Sequence, residues 1–223
     1  MSSKNILVIA AHSVDEVLGC GGTIAKHISS GDEVHVMFMT NGVSSRNVKT
    51  DEIKQRQKAA NEAANILDIS SIKQFDFPDN KMDSVALLDI VQSVEEMISK
   101  LQPVIIYTHH VGDLNIDHQI THKALMSACR PQPGFCVKEI YAFEVLSSTE
   151  WQTPDVESFN PNVFIDITKY IDIKKQVLNI YSEEMRKPPH TRSIENAIHL
   201  NALRGSSVGV DYAEAFKLIR YVK

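Results

Sequence analysis

Two short stretches concentrate side chains that bind cations and move protons. His12-Ser13-Val14-Asp15-Glu16 follows one apolar run, and Thr108-His109-His110-Val111-Gly112-Asp113-Leu114-Asn115-Ile116-Asp117-His118 follows another. An imidazole and a carboxylate three residues apart on a tight turn, joined by a second imidazole from another segment, can supply three ligands to one cation and leave a position open for water. That open position matters because a divalent ion lowers the pKa of a water it holds and polarises an amide carbonyl. Each stretch alone has a plainer explanation: His12 and Asp15 cap a following helix, and His118 opens another. Their joint occurrence behind two buried strands tilts the reading to a metal.

Such residues need elements to bring them together. Residues 5–10 carry β-branched and Leu side chains with no polar alternation, the pattern of a central parallel strand covered on both faces. Residues 17–29 place apolar side chains at helical spacing, Gly31-Asp32 closes that segment, and 33–39 reads as a second strand, which completes a βαβ unit. The alternation continues with a helix at 51–67, a strand at 72–75, a helix at 87–101, a strand at 103–107 and a helix starting near His118. Strands at 139–146 and 162–167 and helices at 174–185 and 192–203 complete the prediction. The expected class is α/β, a Rossmann-like three-layer fold with a mostly parallel sheet and helices on both faces, built as a single domain over 1–223 without repeats or linkers. In such sheets ligands bind beyond the carboxyl ends of the strands, where both stretches lie.

Bulk properties narrow the classes further. A chain of 223 residues that is 43% hydrophobic can bury a sizeable core. Its net charge of -5 contains no Lys/Arg run, which argues against a nucleic-acid partner. The apolar run at 6–11 is too short for a signal-peptide core or a bilayer span, so a cytoplasmic protein with no membrane span is expected. Cys20, Cys129 and Cys136 form no CxxC pair and are odd in number, as reduced thiols would be. The chain is compatible with a homo-oligomer.

The stretch AAHSVDEVLGCGGTIAKH resembles the AHPDDE-x-x-G-x-GG signature of the PIG-L/LmbE-like zinc-dependent N-deacetylases, and THHVGDLNIDH resembles that family's second metal motif, which ends in Asp-His. Gly42, Arg56 with Glu62, and Phe77-Pro78-Asp79-Asn80 stand where members have TDG-like, Arg-x-x-Glu-like and PDN-like segments. Near the C-terminus, the stretch Phe143–Trp151, Pro189-His190-Thr191-Arg192-Ser193 and Tyr212–Phe216 are similar to a bacterial branch associated with cell-surface polysaccharides. The resemblance implies zinc as one divalent ion, held by His12, Asp15 and His118, and hydrolysis of the acetamide of a small-molecule N-acetylamino sugar or its nucleotide- or lipid-linked form.

Two positions depart from that pattern. Where members carry the Asp that serves as general base, this chain has Val14, which cannot accept a proton; loss of a positioned base costs on the order of a hundred- to ten-thousand-fold in rate. Glu16 is near in sequence but is expected to favour the start of the helix for capping reasons. Where many members have a histidine general acid, Asn115 stands; it can hold an oxyanion by hydrogen bonding but cannot give a proton. His109, His110 and His190 are the candidates to replace it, His110 first, and Asp117 can orient an imidazole. Arg56, Asp79 and His190 are the expected substrate contacts. An enzyme impaired by Val14 is the reading these residues favour, with a non-catalytic metal- or sugar-binding member of the same fold as the alternative. A nucleotide-dependent Rossmann enzyme is disfavoured because Gly19, Gly21 and Gly22 lack the GxGxxG spacing; packing of helix on sheet is their expected role.

Overall fold

The structure, a computed structural model, describes residues 3–42 and 50–223. Its order is β1 (Asn5–Ala10), α1 (Asp15–Ser29), β2 (Glu33–Thr40), α2 (Thr50–Leu67), β3 (Ser71–Phe77), α3 (Leu87–Leu101), β4 (Ile105–His109), α4 (Ile116–Ala128), β5 (Glu139–Phe143), β6 (Val163–Asp166), α5 (Ile171–Ile180), α6 (Ile194–Ser206) and β7 (Ala213–Tyr221). The strands form one sheet in the order β3-β2-β1-β4-β5-β7-β6. The first five pair in parallel, while β7 runs antiparallel to both β5 and β6. This is the mostly parallel α/β architecture that the alternation of strand and helix predicts.

The continuous apolar run of β1 exists because both faces of the sheet are covered. Ile6, Val8 and Ala10 point into one buried cluster with residues of α1, α2 and α5. Leu7 and Ile9 point into the other, with residues of α3 and α4. Successive side chains of a strand face opposite sides, so a two-faced core demands apolar residues at every position. Each fully buried Leu or Ile contributes about 1.5–3 kcal/mol, which is why this strand sits at the centre.

Helix α1 lies close on the sheet because it is glycine-rich. A Cβ at Gly19 would stand 2.4 Å from the Phe143 ring, and one at Gly22 would stand 2.8 Å from Ile167. These glycines therefore do the packing work expected of them.

Several boundaries differ from expectation. Helix α5 starts at Ile171 and ends at Ile180, and turns rather than helix carry the chain through 181–193. Strand β7 has no counterpart in the predicted set, and it enters the sheet between β5 and β6. Among the described residues no helix is long and apolar enough to cross a membrane. The three cysteines are free.

The strand order turns back at the centre: from β1 the chain proceeds to β2 and β3 on one side, while β4 and β5 lie on the other. The loops after β1 and β4 therefore open side by side at the carboxyl edge of the sheet, at the place where α/β folds hold ligands.

Candidate active site

The loop after β1 is a tight turn. Asp15 Oδ2 accepts from the His12 backbone N–H at 3.1 Å, and Asp15 N reaches back to the His12 carbonyl at 3.4 Å. Val14 closes the turn in the left-handed region, at φ 88° and ψ -27°, immediately before α1. A β-branched residue there is strained by on the order of 1–3 kcal/mol. Its side chain is 1% exposed and belongs to the apolar core around α1, so it offers the site only methyl groups.

The loop after β4 is anchored by carboxylates and a helix cap. Asn115 caps α4, its Oδ1 accepting from Asp117 N at 2.8 Å, while its own N–H donates to Asp113 Oδ1 at 2.8 Å. Asp113 is buried and bonded also to the hydroxyls of Ser148 and Thr149. The two loops are joined by His109, whose Nε2 accepts from the Ala11 N–H at 2.8 Å.

This framework brings His12, Asp15 and His118 to one point. His12 Nδ1 is 3.2 Å from Asp15 Oδ2, His118 Nε2 is 3.1 Å from the same oxygen, and the two ring nitrogens are 3.3 Å apart. Ligand atoms on a tetrahedral zinc, each roughly 2.0–2.2 Å from the ion, stand about 3.3 Å apart, so these three atoms have the spacing of one face of such a site. The donor set, two imidazoles and one carboxylate, suits the same ion, and Asp15 Oδ1 is buried without a hydrogen-bond partner. Residues and ion fit.

Each imidazole has a further carboxylate behind it. His12 Nε2 faces Asp117 Oδ2 at 3.1 Å and Asp79 Oδ1 at 3.2 Å. These three residues form a second group close enough to share a cation. Asp117, however, already accepts from the backbone N–H of Asn80 at 2.6 Å and of Met82 at 3.1 Å, which commits it to orienting the ring. His118 Nδ1 is 3.1 Å from Asp113 Oδ1, off the line of an ideal hydrogen bond.

The charges respond to this crowding. Burial works against ionisation of Asp15, but His118 and His12 beside it hold its carboxyl well below the usual range. Burial likewise pulls the imidazole values down, and it is outweighed by Asp117, Asp15 and Asp79 around His12 and by Asp15 and Asp113 around His118, so both are raised. Burial and the neighbouring His118 hold His109 well below its ordinary value, as a neutral ring. Glu16 faces the core, where burial pushes its carboxyl up to about 8 against the bond from the Tyr181 hydroxyl.

Beside the cluster is a cavity whose wall includes His12, His118, Asp79, Asn115, Arg56 and His190. Most of the residues singled out from the sequence thus meet in one place. Arg56 is paired to Glu184 at 2.5 Å, and His190 packs edge-on to Trp151 at 5.6 Å between ring centres. His110 is not brought to the cavity: its Nε2 bonds the Glu157 carbonyl at 2.8 Å and its ring stands against Phe159. Three contributors were not singled out from the sequence. Asp113 and Arg192 sit inside motifs noted for other residues, while Glu184 comes from the 181–193 turns.

A Rossmann-like sheet whose switch-point loops gather a His-Asp-His cluster above a polar cavity defines a class of α/β proteins with a metal-type centre. Within that class the chain belongs to the PIG-L family: residues 7–129 match the family model described as GlcNAc-PI de-N-acetylase. It is 30% identical over 181 residues to the uncharacterized deacetylase YaiS of Escherichia coli K12, covering 78% of this chain and 89% of that one. It is also 30% identical over 190 residues to the 4-oxalmesaconate hydratase of Pseudomonas putida, covering 77% and 70%. The N,N'-diacetylchitobiose deacetylase of Pyrococcus horikoshii has the same fold, with a TM-score of 0.79 at 19% identity over 98% of this chain and 85% of that one.

Proposed function

We propose that the chain acts as one domain over 1–223, a zinc-dependent N-deacetylase of an N-acetylamino sugar or of its nucleotide- or lipid-linked derivative, in the cytoplasm and in the service of a surface glycan. The observation that carries this reading is the 3.1–3.3 Å triangle of His12 Nδ1, Asp15 Oδ2 and His118 Nε2 at the edge of a polar cavity. When bound there, a divalent cation supplies a polarised acyl oxygen and an acidified water. The chain's own groups do the rest. Asp117 turns His12 so that Nδ1 faces the cluster, and Asp113 does the same for His118 Nε2. Asn115, whose Nδ2 reaches Asn80 at 3.1 Å, can donate to substrate oxygens, while Asp79 and Arg56 offer partners to sugar hydroxyls.

Val14 leaves proton abstraction without a carboxylate, so slow turnover is expected. Acetate release from a panel of N-acetyl sugars should be weak in the natural chain and rise on the order of a hundredfold or more in Val14→Asp. Asp is also better tolerated than Val in the left-handed conformation of position 14. A variant that binds zinc and sugar but stays inert would instead favour a non-catalytic binding protein.

A second reading has one specific support, the relative that is a hydratase at the same 30% identity as the deacetylase YaiS. Addition of water to an unsaturated acid would need the same cluster without release of an amine. Loss of conjugated-diene absorbance on incubation with unsaturated di- and tricarboxylic acids, with no acetate released from any sugar, would decide for it.

A further inference from the structure

Among the described residues, the cavity wall carries more positive charge than its own carboxylates match. Three arginines line it, Arg56, Arg186 and Arg192, against Asp79 and Glu184. Arg56 is matched by Glu184 at 2.5 Å, and Asp79 is turned to His12. Arg192 is matched more loosely, by Asp15 alone among the described carboxylates. Its side chain is 19% exposed, and its Nε donates to the Leu146 carbonyl at 3.3 Å and to Ser147 Oγ at 2.8 Å, which fixes the fork. The nearest carboxylate oxygen, Asp15 Oδ1, lies 3.8 Å from Nη2, beyond hydrogen-bond reach.

Arg186 stands exposed at the rim, tied only to the backbone carbonyls of Glu183 and Met185. The two arginines are held as neighbours because Arg186 N donates to the Arg192 carbonyl at 2.9 Å, closing the neck of the intervening loop. The whole chain has a net charge of -5, so this local excess is not part of a basic surface. A planar fork with its outer nitrogens free and its inner one fastened is pre-organised for oxygen anions. A neutral ligand sealing the cavity would desolvate that charge and offer it hydroxyl oxygens but no counter-charge.

We propose that the cavity takes a substrate bearing an anionic group, a carboxylate or a phosphate, held by the free edge of Arg192 with Arg186 at the rim. The idea deepens the deacetylase reading and rests on it for the N-acetyl group alone; the anion site stands on the arginines.

Calorimetric titration of the zinc-loaded protein with N-acetylglucosamine, N-acetylglucosamine 6-phosphate, N-acetylmuramate and inorganic phosphate tests it. At least one anionic sugar should bind about tenfold or more tighter than the neutral one, the scale of a charge-assisted pair, and whether it is the phosphate or the carboxylate identifies the source. Arg192→Gln should abolish that preference with neutral-sugar affinity and zinc content unchanged, and Arg192→Lys, which keeps charge and loses the fork, should abolish most of it. Equal affinity for all sugars, no binding of any probe, or an anion preference that survives Arg192→Gln would overturn the proposal. Preference without acetate release from any probe would sink the deacetylase reading and leave the anion site standing; acetate release without preference would do the reverse.

Discussion

His12 and His118 would serve as ligands only in one orientation and one tautomer, and for His12 the residue placed to set both is the carboxylate Asp117. Asp117→Asn removes the charge behind His12 Nε2 and keeps one oxygen, enough for the Asn80 N–H now on Oδ2 or the Met82 N–H now on Oδ1 but not for both. Zinc affinity, measured by competition with a chromophoric chelator, should fall about 10–100-fold; an unchanged affinity would mean that Asp117 serves the loop and not the ring. The residues of the His-Asp-His cluster were legible in the sequence because they sit in short motifs. Asp113 was not, because nothing in the motif reveals that Ser148 and Thr149, some 35 residues on, close over it. Arg192 stands in a motif visible in the sequence, but its contacts to Asp15 and Ser147 across the fold are not. A different histidine sets a pH response. His27, bonded to Asp32 at 2.8 Å and to the Tyr107 hydroxyl at 2.9 Å, is held below its ordinary 6.5 by burial, which outweighs Asp32. The unfolded chain therefore binds the extra proton first, and stability present above 6.5 is lost as pH falls towards the folded value. Denaturant melts at about pH 7.5 and about pH 5.5 should show His27→Gln losing less stability than the natural chain over that interval, and equal losses would remove His27 as the cause.

Helix α1 is the element that links the centre to the rest of the fold, and it is not continuous. Cys20 leaves helical geometry at φ -148° and ψ 24°. The break is made good from outside: Glu214 of β7 accepts from Gly22 N at 2.9 Å and Thr23 N at 2.7 Å, while Lys174 of α5 donates to the Leu18 carbonyl at 3.0 Å and to Glu214 at 2.6 Å. Both charges are about 1% exposed. Lys174→Met strands the Glu214 carboxylate and should cost about 3–5 kcal/mol in urea unfolding. Adding Glu214→Gln should recover part of that loss, whereas additive losses would show that the two do not act as a pair. The same carboxylate explains why β7 escaped sequence reading. A buried Glu at the second position of a strand that also carries Lys217 and Arg220 breaks the apolar pattern, and its charge is met by partners 40, 191 and 192 residues away. The central parallel strands β1 and β4, whose apolar runs answer to the sheet alone, were legible for the opposite reason.

For the molecule as a whole, the His-Asp-His cluster is a clasp between β1 and β4, the two strands at which the sheet changes direction. His12 and His118 are 106 residues apart, so the unfolded chain has no such site and an ion held there acts on the folded state alone. A ligand that binds only the folded state stabilises it by about 2.7 kcal/mol at a hundred times its Kd. For a chain of this length each kcal/mol moves the melting temperature by roughly 2–4 °C, so zinc should raise Tm by roughly 5–11 °C and a chelator should reverse it. His118→Ala opens one corner of the triangle, and its Tm should no longer respond to zinc. A calorimetric trace that is the same with zinc and with chelator would remove the metal from the mechanism and leave the 3.1–3.3 Å cluster as two charged imidazoles paired with the Asp15 carboxylate.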